Sequence, residues 1–141
     1  MKRKGSAVWT GDLKTGKGAI STESGALSNL PYGFNTRFGD EKGTNPEELI
    51  GAAHASCFSM ALSNELSKAG IADPRIETTA AVEIKQQDGG FAITSSHLTV
   101  KITARGADKA AAQKAAETAE KNCPVSKLLK ADISMDVTIE A

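Results

Sequence analysis

The sequence predicts an α+β fold in which short strands lie on both sides of a long central helix. Three observations support this prediction. A run of small and apolar residues at 46–69 has helix signals at both of its ends. Two stretches, 75–87 and 91–106, alternate in polarity with period two around a glycine-rich turn. The remainder of the chain is alanine-rich and then alternating, which predicts further helix followed by a last strand.

The N-terminal segment is predicted to form a β-hairpin. Residues 6–10 alternate in polarity, "GDLKTGKG" follows, and "AISTES" then resumes a strand-like pattern. Two short strands around a turn that contains glycine are typical of a hairpin. The next segment, 29–45, is rich in turn-forming residues and aromatics. Two interpretations of it are open: a short strand at 33–38, or an ordered loop.

The central helix has the clearest boundaries in the sequence. Asn45 is a preferred N-cap, and Pro46 suits the first helical position. Glu47 and Glu48 fall in the first turn, where the helix dipole favours anions. Gly70 predicts the end of the helix. These signals predict a helix of about 24 residues and about 36 Å, whose small side chains allow other elements to approach closely.

The C-terminal half is predicted to form a second hairpin, two helices and a last strand. Residues 88–90, "DGG", are a hairpin signal between the two alternating stretches. Residues 107–121 have high helix propensity. Pro124 ends that helix and can open a short new one, before "DISMDVTIEA" forms a strand. The order β-β-(β)-α-β-β-α-α-β, without a linker or internal repeat, predicts a single domain over 1–141.

Composition narrows the classes of function. The 141 residues include 17 basic and 17 acidic side chains, so the formal net charge is zero. This balance lacks the basic footprint of a nucleic-acid-binding protein. The basic start of the chain is not followed by an apolar region, and no apolar run reaches the length of a membrane span. A cytoplasmic protein is therefore expected, with no membrane partner and with its cysteines present as thiols.

The cysteines are the residues most able to carry chemistry. Cys57 and Cys123 are 66 positions apart, and with only His54 and His97 besides, no metal site and no cofactor is predicted. Cys57 lies within a helix and could be packing or a reactive thiol. Cys123 precedes Pro124 at a predicted helix start, where a thiolate is stabilised. A Cys57–His54 pair is conceivable, but no third group is evident to orient it.

Three stretches taken together resemble a known family: "YGFNTRF", "GTNPEELIGAAHASCFSMALS" and "NCPVSKLLKA". The chain resembles, from end to end, the OsmC (osmotically inducible protein C) branch of the OsmC/Ohr superfamily of thiol-dependent peroxidases. The resemblance implies an intertwined homodimer that reduces organic hydroperoxides and hydrogen peroxide. It also implies an external dithiol as reductant, lipoylated proteins being the donor in the Ohr branch, and a role in osmotic or oxidative stress.

The resemblance also implies residue roles. Cys57 corresponds to the peroxidatic thiol, Cys123 to the resolving thiol, and Arg37 and Glu47 to the pair that polarises the site. Because thiolate, not thiol, attacks a peroxide, the pKa of Cys57 must be lowered. Arg37 could supply the positive charge, and Glu47 could hold the guanidinium in place. Taken alone, Arg37 would be interpreted as a surface residue and Glu47 as a helix-start carboxylate.

Two further expectations concern the substrate and the assembly. Phe34, Phe38 and Phe58 are candidates to contact an alkyl peroxide tail. Ten residues of helix separate Glu47 from Cys57 by about 15 Å, which predicts that the site is completed across a dimer two-fold axis. Two other functions are open: a non-catalytic cysteine redox sensor, and a small-molecule-binding dimer in which Cys57 only packs.

Overall fold

The computed structural model describes residues 1–141 and has the α+β fold that the sequence predicts. The chain forms two compact units, Met1–Leu49 and Ile50–Ala141, which we call the N-terminal unit and the C-terminal unit. Each contains one small three-stranded sheet. The expectation of a single domain stays a prediction. No helix combines the length and apolar character that crossing a lipid bilayer requires.

The N-terminal unit is built on an antiparallel sheet in the order β1-β2-β3. Its strands are β1 (Gly5–Thr10), β2 (Lys17–Thr22) and β3 (Leu30–Tyr32). The predicted hairpin is confirmed, since β1 and β2 pair in register along their whole length. Every residue of β1 is exposed. The edge strand β1 therefore contributes no buried side chain to an apolar core of this unit.

A short helix, α1 (Phe34–Phe38), occupies the segment for which a strand or a loop was predicted. Both interpretations were wrong, and the strand of this region lies just before it, in β3. The Thr36 hydroxyl accepts from the Gly33 N–H at 2.9 Å and donates to the Gly33 carbonyl at 3.0 Å. The Phe34 and Phe38 rings, one turn apart, pack with centroids 5.1 Å apart. These local contacts stabilise one helical turn that propensity alone does not predict.

The long helix, α2 (Pro46–Lys68), begins in the N-terminal unit and continues into the C-terminal unit. Its predicted boundaries are confirmed. The side-chain oxygen of Asn45 accepts from the Glu48 N–H at 2.8 Å, which is the N-cap bond. After the helix, Gly70 adopts φ +76°, the left-handed conformation that ends helices and favours glycine.

The C-terminal unit contains the second sheet and two helices. Its elements are β4 (Arg75–Gln87), β5 (Gly90–Thr103), α3 (Lys109–Asn122), α4 (Pro124–Leu128) and β6 (Asp132–Glu140). Asp88 and Gly89 both have positive φ and form the two-residue hairpin turn. β6 pairs parallel with β5, so a crossover must connect them, and α3 and α4 provide it.

The termini of α3 and α4 differ slightly from the prediction. α3 begins two residues later than expected because the Asp108 side chain is its N-cap, accepting from the Ala110 and Ala111 N–H groups. The helix ends at Cys123, whose N–H bonds to the Ala119 carbonyl. α4 begins at Pro124, as predicted, with Cys123 as its N-terminal flanking residue. Cys123 is thereby held between two helices.

The core of the C-terminal unit lies between α2, α3 and one face of the sheet. Residues four apart on α2 and alternate residues of β5 point into it, as helix and strand periodicity require. The small side chains of α3 let that helix approach closely. The fully buried apolar members are Phe58, Leu62, Leu66, Leu98, Ile102, Ala112, Ala116, Ala119 and Cys123.

Candidate active site

The two cysteines of the chain lie together in the C-terminal unit. Both are free thiols, Cys57 partly exposed on α2 and Cys123 fully buried at the junction of α3 and α4. The two thiols lie close enough that the Cys123 thiol affects the pKa of Cys57. The fold thus brings together two thiols that are far apart in sequence. A partly exposed thiol that lies next to a buried thiol can form a disulfide with it when it is oxidised.

Within this unit, the surroundings of Cys57 disfavour its thiolate. Burial raises the pKa of the Cys57 thiol above its ordinary value, and the neighbouring Cys123 thiol raises it further. The backbone N–H of Val125, in the first turn of α4, acts in the opposite direction and lowers the pKa of Cys57. No positively charged group contributes to the pKa shift of Cys57.

His54 lies one helical turn before Cys57 and is fully buried. Its Nδ1 is 2.7 Å from the Ser96 hydroxyl, and its Nε2 is 2.8 Å from the Ser126 hydroxyl. Burial lowers the pKa of His54, so the ring is neutral at physiological pH. Because both ring nitrogens are bonded to serines, the conceivable Cys57–His54 catalytic pair is not formed.

The predicted Arg37–Glu47 pair is present in the N-terminal unit. Arg37 donates from Nε to both carboxylate oxygens, at 3.0 and 3.2 Å, and from Nη2 to Oε1 at 2.7 Å. The Glu47 side chain is 10% exposed and that of Arg37 is 33% exposed. A two-point, charge-assisted contact of this kind fixes the orientation of the guanidinium. The Cζ atom of Arg37 also lies over the Phe38 ring, 5.3 Å from its centroid.

An aromatic cavity of about 290 Å³ opens beside Arg37. Phe34 and Phe38 line it, together with the apolar side chains of Trp9, Leu13 and Tyr32. Their contact with a substrate stays a prediction. The cavity has the composition of a site for an apolar ligand with one polar anchor. Phe58, by contrast, is fully buried in the core of the C-terminal unit, where it packs with Leu62 and Leu66.

Several residues of the site were not predicted from the sequence. Two of them are Trp9 and Tyr32, whose ring centroids are 5.5 Å apart. A signal for this pair exists in Gly18: a Cβ there would lie 2.4 Å from the Tyr32 ring and 2.7 Å from the Trp9 ring. The role of the Val125 N–H could not be predicted from the sequence, because every residue except proline has a backbone N–H. No group of three or more His, Cys, Asp or Glu side chains is placed to bind a metal ion.

Comparison with known proteins places this geometry in a family. The family model described as "OsmC-like protein" matches residues 39–138. The chain belongs to the OsmC family. The Peroxiredoxin OsmC of Escherichia coli strain K12 is 52% identical over 141 residues, covering 100% of this chain and 99% of that protein. The organic hydroperoxide resistance protein OhrB of Bacillus subtilis is 31% identical over 124 residues, covering 87% and 88% of the two chains.

Solved structures of the OsmC and Ohr type share the fold. An organic hydroperoxide resistance protein from Elizabethkingia anophelis superposes with a TM-score of 0.72 at 26% identity, covering 99% of this chain and 97% of that one. OhrB of Bacillus subtilis superposes with a TM-score of 0.65 at 24% identity. The α+β arrangement predicted for an OsmC-family chain is therefore confirmed.

Proposed function

We propose that this chain is a thiol-dependent peroxidase that reduces organic hydroperoxides, and hydrogen peroxide, to alcohols or water. The observation that carries the proposal is the contact between Cys57, partly exposed, and Cys123, fully buried. Peroxiredoxin OsmC of Escherichia coli, 52% identical along the whole chain, supports the same class of activity. No cofactor is needed, because the thiols themselves carry the electrons.

The reaction begins at Cys57. Its thiolate attacks the terminal oxygen of the hydroperoxide, an S–O bond forms, and the O–O bond breaks. The alkoxide leaves and takes up a proton, so the products are an alcohol and a sulfenic acid on Cys57. The Cys123 thiol then attacks that sulfur, a disulfide forms and water leaves. An external dithiol reduces the disulfide by exchange and becomes oxidised in turn.

Arg37 supplies the charge that the C-terminal unit lacks. A guanidinium stays protonated when partly buried, and Glu47 holds it by a two-point contact while limiting the cost of its burial. The aromatic cavity beside Arg37 then receives the alkyl group of the peroxide, with Phe34 and Phe38 in its wall. Phe58 has no part in this proposal, because it is buried in the core.

The active form is an intertwined homodimer with composite sites. α2 is continuous from Pro46 to Lys68, and the ten residues from Glu47 to Cys57 span about 15 Å of it. The Arg37–Glu47 pair of one protomer therefore serves Cys57 of the other, where two such helices cross about a two-fold axis. Residues 1–141 act as one domain in this assembly, and the family match from 39 to 138 supports this by including parts of both units.

The exposed surfaces of the protomer support a second copy as the partner. β1 is exposed along its whole length, and its apolar residue Val8 is 69% exposed. A sheet of three strands needs an apolar face that is covered. On α2, Ala52 and Ala53 are exposed and Met60 is 77% exposed, which leaves an apolar strip of mostly small residues. In a symmetric dimer, a second protomer covers both the exposed face of β1 and the apolar strip of α2.

The reductant is an external dithiol, for which a lipoylated protein is our proposal. A dithiol of this kind reduces a disulfide in two exchange steps and leaves as a cyclic disulfide. Such donors are maintained in a reducing compartment, and we place the protein in the cytoplasm on that ground. The proposed setting is osmotic or oxidative stress, in which organic hydroperoxides accumulate.

A complementation experiment tests the composite site. One chain carries Cys57→Ser and the other Arg37→Met, and differently tagged copies are produced together and purified through both tags. In dithiol-dependent consumption of an alkyl hydroperoxide, each parent homodimer is expected to retain at most about one hundredth of the unmodified activity. The heterodimer keeps one intact composite site, so it is expected to recover about half of the unmodified activity. An inactive heterodimer that is folded and dimeric would show that the site lies within one protomer.

A further inference from the structure

His54 has no role in the proposed reaction, yet its contacts indicate one. His54 is fully buried, so each of its ring nitrogens must form a hydrogen bond with a protein group because water cannot reach it. His54 meets this demand with Ser96 of β5 on one side and Ser126 of α4 on the other. Its neutral ring donates one bond and accepts the other, and each hydroxyl can take the complementary part. The three side chains thus connect α2, the sheet and α4.

α4 depends on such tertiary contacts for its position. It has five residues, and its own backbone bonds include Lys127 N–H to the Cys123 carbonyl and Leu129 N–H to the Val125 carbonyl. Isolated helices of this length are not stable. Cys123 nevertheless lies at the flanking position of α4 and Val125 in its first turn, and both Val125 and Cys57 pack against the core that contains Cys123. An interaction that holds α4 in place therefore also sets the positions of the Cys123 thiol and the Val125 N–H relative to the Cys57 sulfur.

We propose that His54 is a positioning residue that acts through Ser126. It holds the first turn of α4 so that the Val125 N–H and the Cys123 thiol stay in place against the Cys57 sulfur. It does not exchange protons with the sulfur, because both of its nitrogens are bonded to serines. This role rests on the proposed function in one respect, namely that Cys57 is the reacting thiol.

Cys123 is the titratable group that shifts the pKa of Cys57. Cys123 interacts with it directly from the α3–α4 junction, and its effect is to raise the pKa of Cys57. His54 lies one turn away on α2 and is neutral. Lys127, the lysine of α4, is exposed. The backbone N–H of Val125 is therefore the group through which α4 lowers the pKa of Cys57, and His54 maintains its position.

The test is the pH dependence of iodoacetamide alkylation, assigned to Cys57 by peptide mapping of the full-length protein. Ser126→Ala removes one hydroxyl and breaks the connection from His54 to α4. Because hydrogen bonds to charged groups are strong, we expect alkylation of Cys57 at neutral pH to slow by about threefold to tenfold. At a pH above both apparent pKa values, the variant and the unmodified protein are expected to react equally fast.

Two matched variants distinguish positioning from a general loss of structure. Ser126→Thr keeps the hydroxyl and is expected to restore the unmodified profile. Ser59→Ala removes another hydroxyl bond of α2, the 2.7 Å contact with Thr78 of β4, and is expected to leave the profile unchanged. The proposal is overturned if Ser126→Ala has the unmodified profile, or if its rate falls by the same factor at every pH. Alkylation needs no peroxide, so either result is obtained even if the protein proves not to be a peroxidase.

Discussion

Cys57→Ser is expected to abolish dithiol-dependent consumption of an alkyl hydroperoxide, with a loss of at least about a thousandfold in rate. A serine hydroxyl is not ionised near neutral pH, whereas a thiolate is an intrinsically strong nucleophile. The side chain is partly exposed and similar in size, so the substitution removes the chemistry without opening a large cavity. The measurement is the rate of hydroperoxide loss with excess dithiothreitol.

Cys123→Ser is the matched comparison for this result. It leaves the first step intact, so about one hydroperoxide per chain is expected to be consumed rapidly, before turnover slows. Without the resolving thiol, Cys57 is then open to overoxidation by excess peroxide. Full activity of the Cys57→Ser protein would mean that Cys57 only packs. A single consumed equivalent in the unmodified protein, without dithiol turnover, would instead favour the redox sensor.

Arg37→Met is expected to lower the rate constant for oxidation of Cys57 by about a hundredfold at neutral pH. At a separation of about 4 Å and an intermediate effective dielectric, a single charge stabilises a thiolate by a few kcal/mol. Methionine retains much of the apolar stem but has no charge. The rate is measured by stopped flow under single-turnover conditions, and part of the loss is expected to be recovered at higher pH.

Two variants separate this charge effect from damage to the fold. Arg37→Met leaves Glu47, only 10% exposed, without its partner, which is destabilising by itself. Adding Glu47→Gln is expected to restore the free energy of unfolding but not the activity. Arg75→Met removes a surface arginine paired with Glu77 at 3.3 Å and is expected to change neither quantity. An Arg37→Met protein that reacts at the unmodified rate would remove Arg37 from the mechanism.

The sequence predicts some elements well because their causes are local. The start of α2 follows from Asn45 and Pro46, whose side-chain chemistry sets a helix boundary wherever it occurs. The hairpin between β4 and β5 follows in the same way from a short glycine turn. α1 was missed because its single turn depends on bonds between Thr36 and Gly33 and on the contact of two phenylalanine rings. The four-residue spacing of the phenylalanines is helical, but a single turn is too short for a periodic pattern to identify.

The candidate site was predicted less completely than the fold. The pairing of Cys57 with Cys123 followed from family resemblance, since nothing in their spacing indicates contact. Helix periodicity did not identify Phe58 as a core residue, because α2 is apolar on several sides and the buried side is chosen by α3 and the sheet. The links of His54 to Ser96 and Ser126 join positions 42 and 72 residues away. Such contacts are set by tertiary structure alone.

The most direct test of the central claim is peptide mass mapping without reduction. The reduced protein receives about one equivalent of an organic hydroperoxide, and remaining thiols are then blocked. We expect a peptide containing Cys57 joined by a disulfide to the peptide containing Cys123, formed within seconds and lost on addition of a dithiol. Two blocked, unmodified thiols after that treatment would contradict the account, and Cys57 would then be a packing residue of α2.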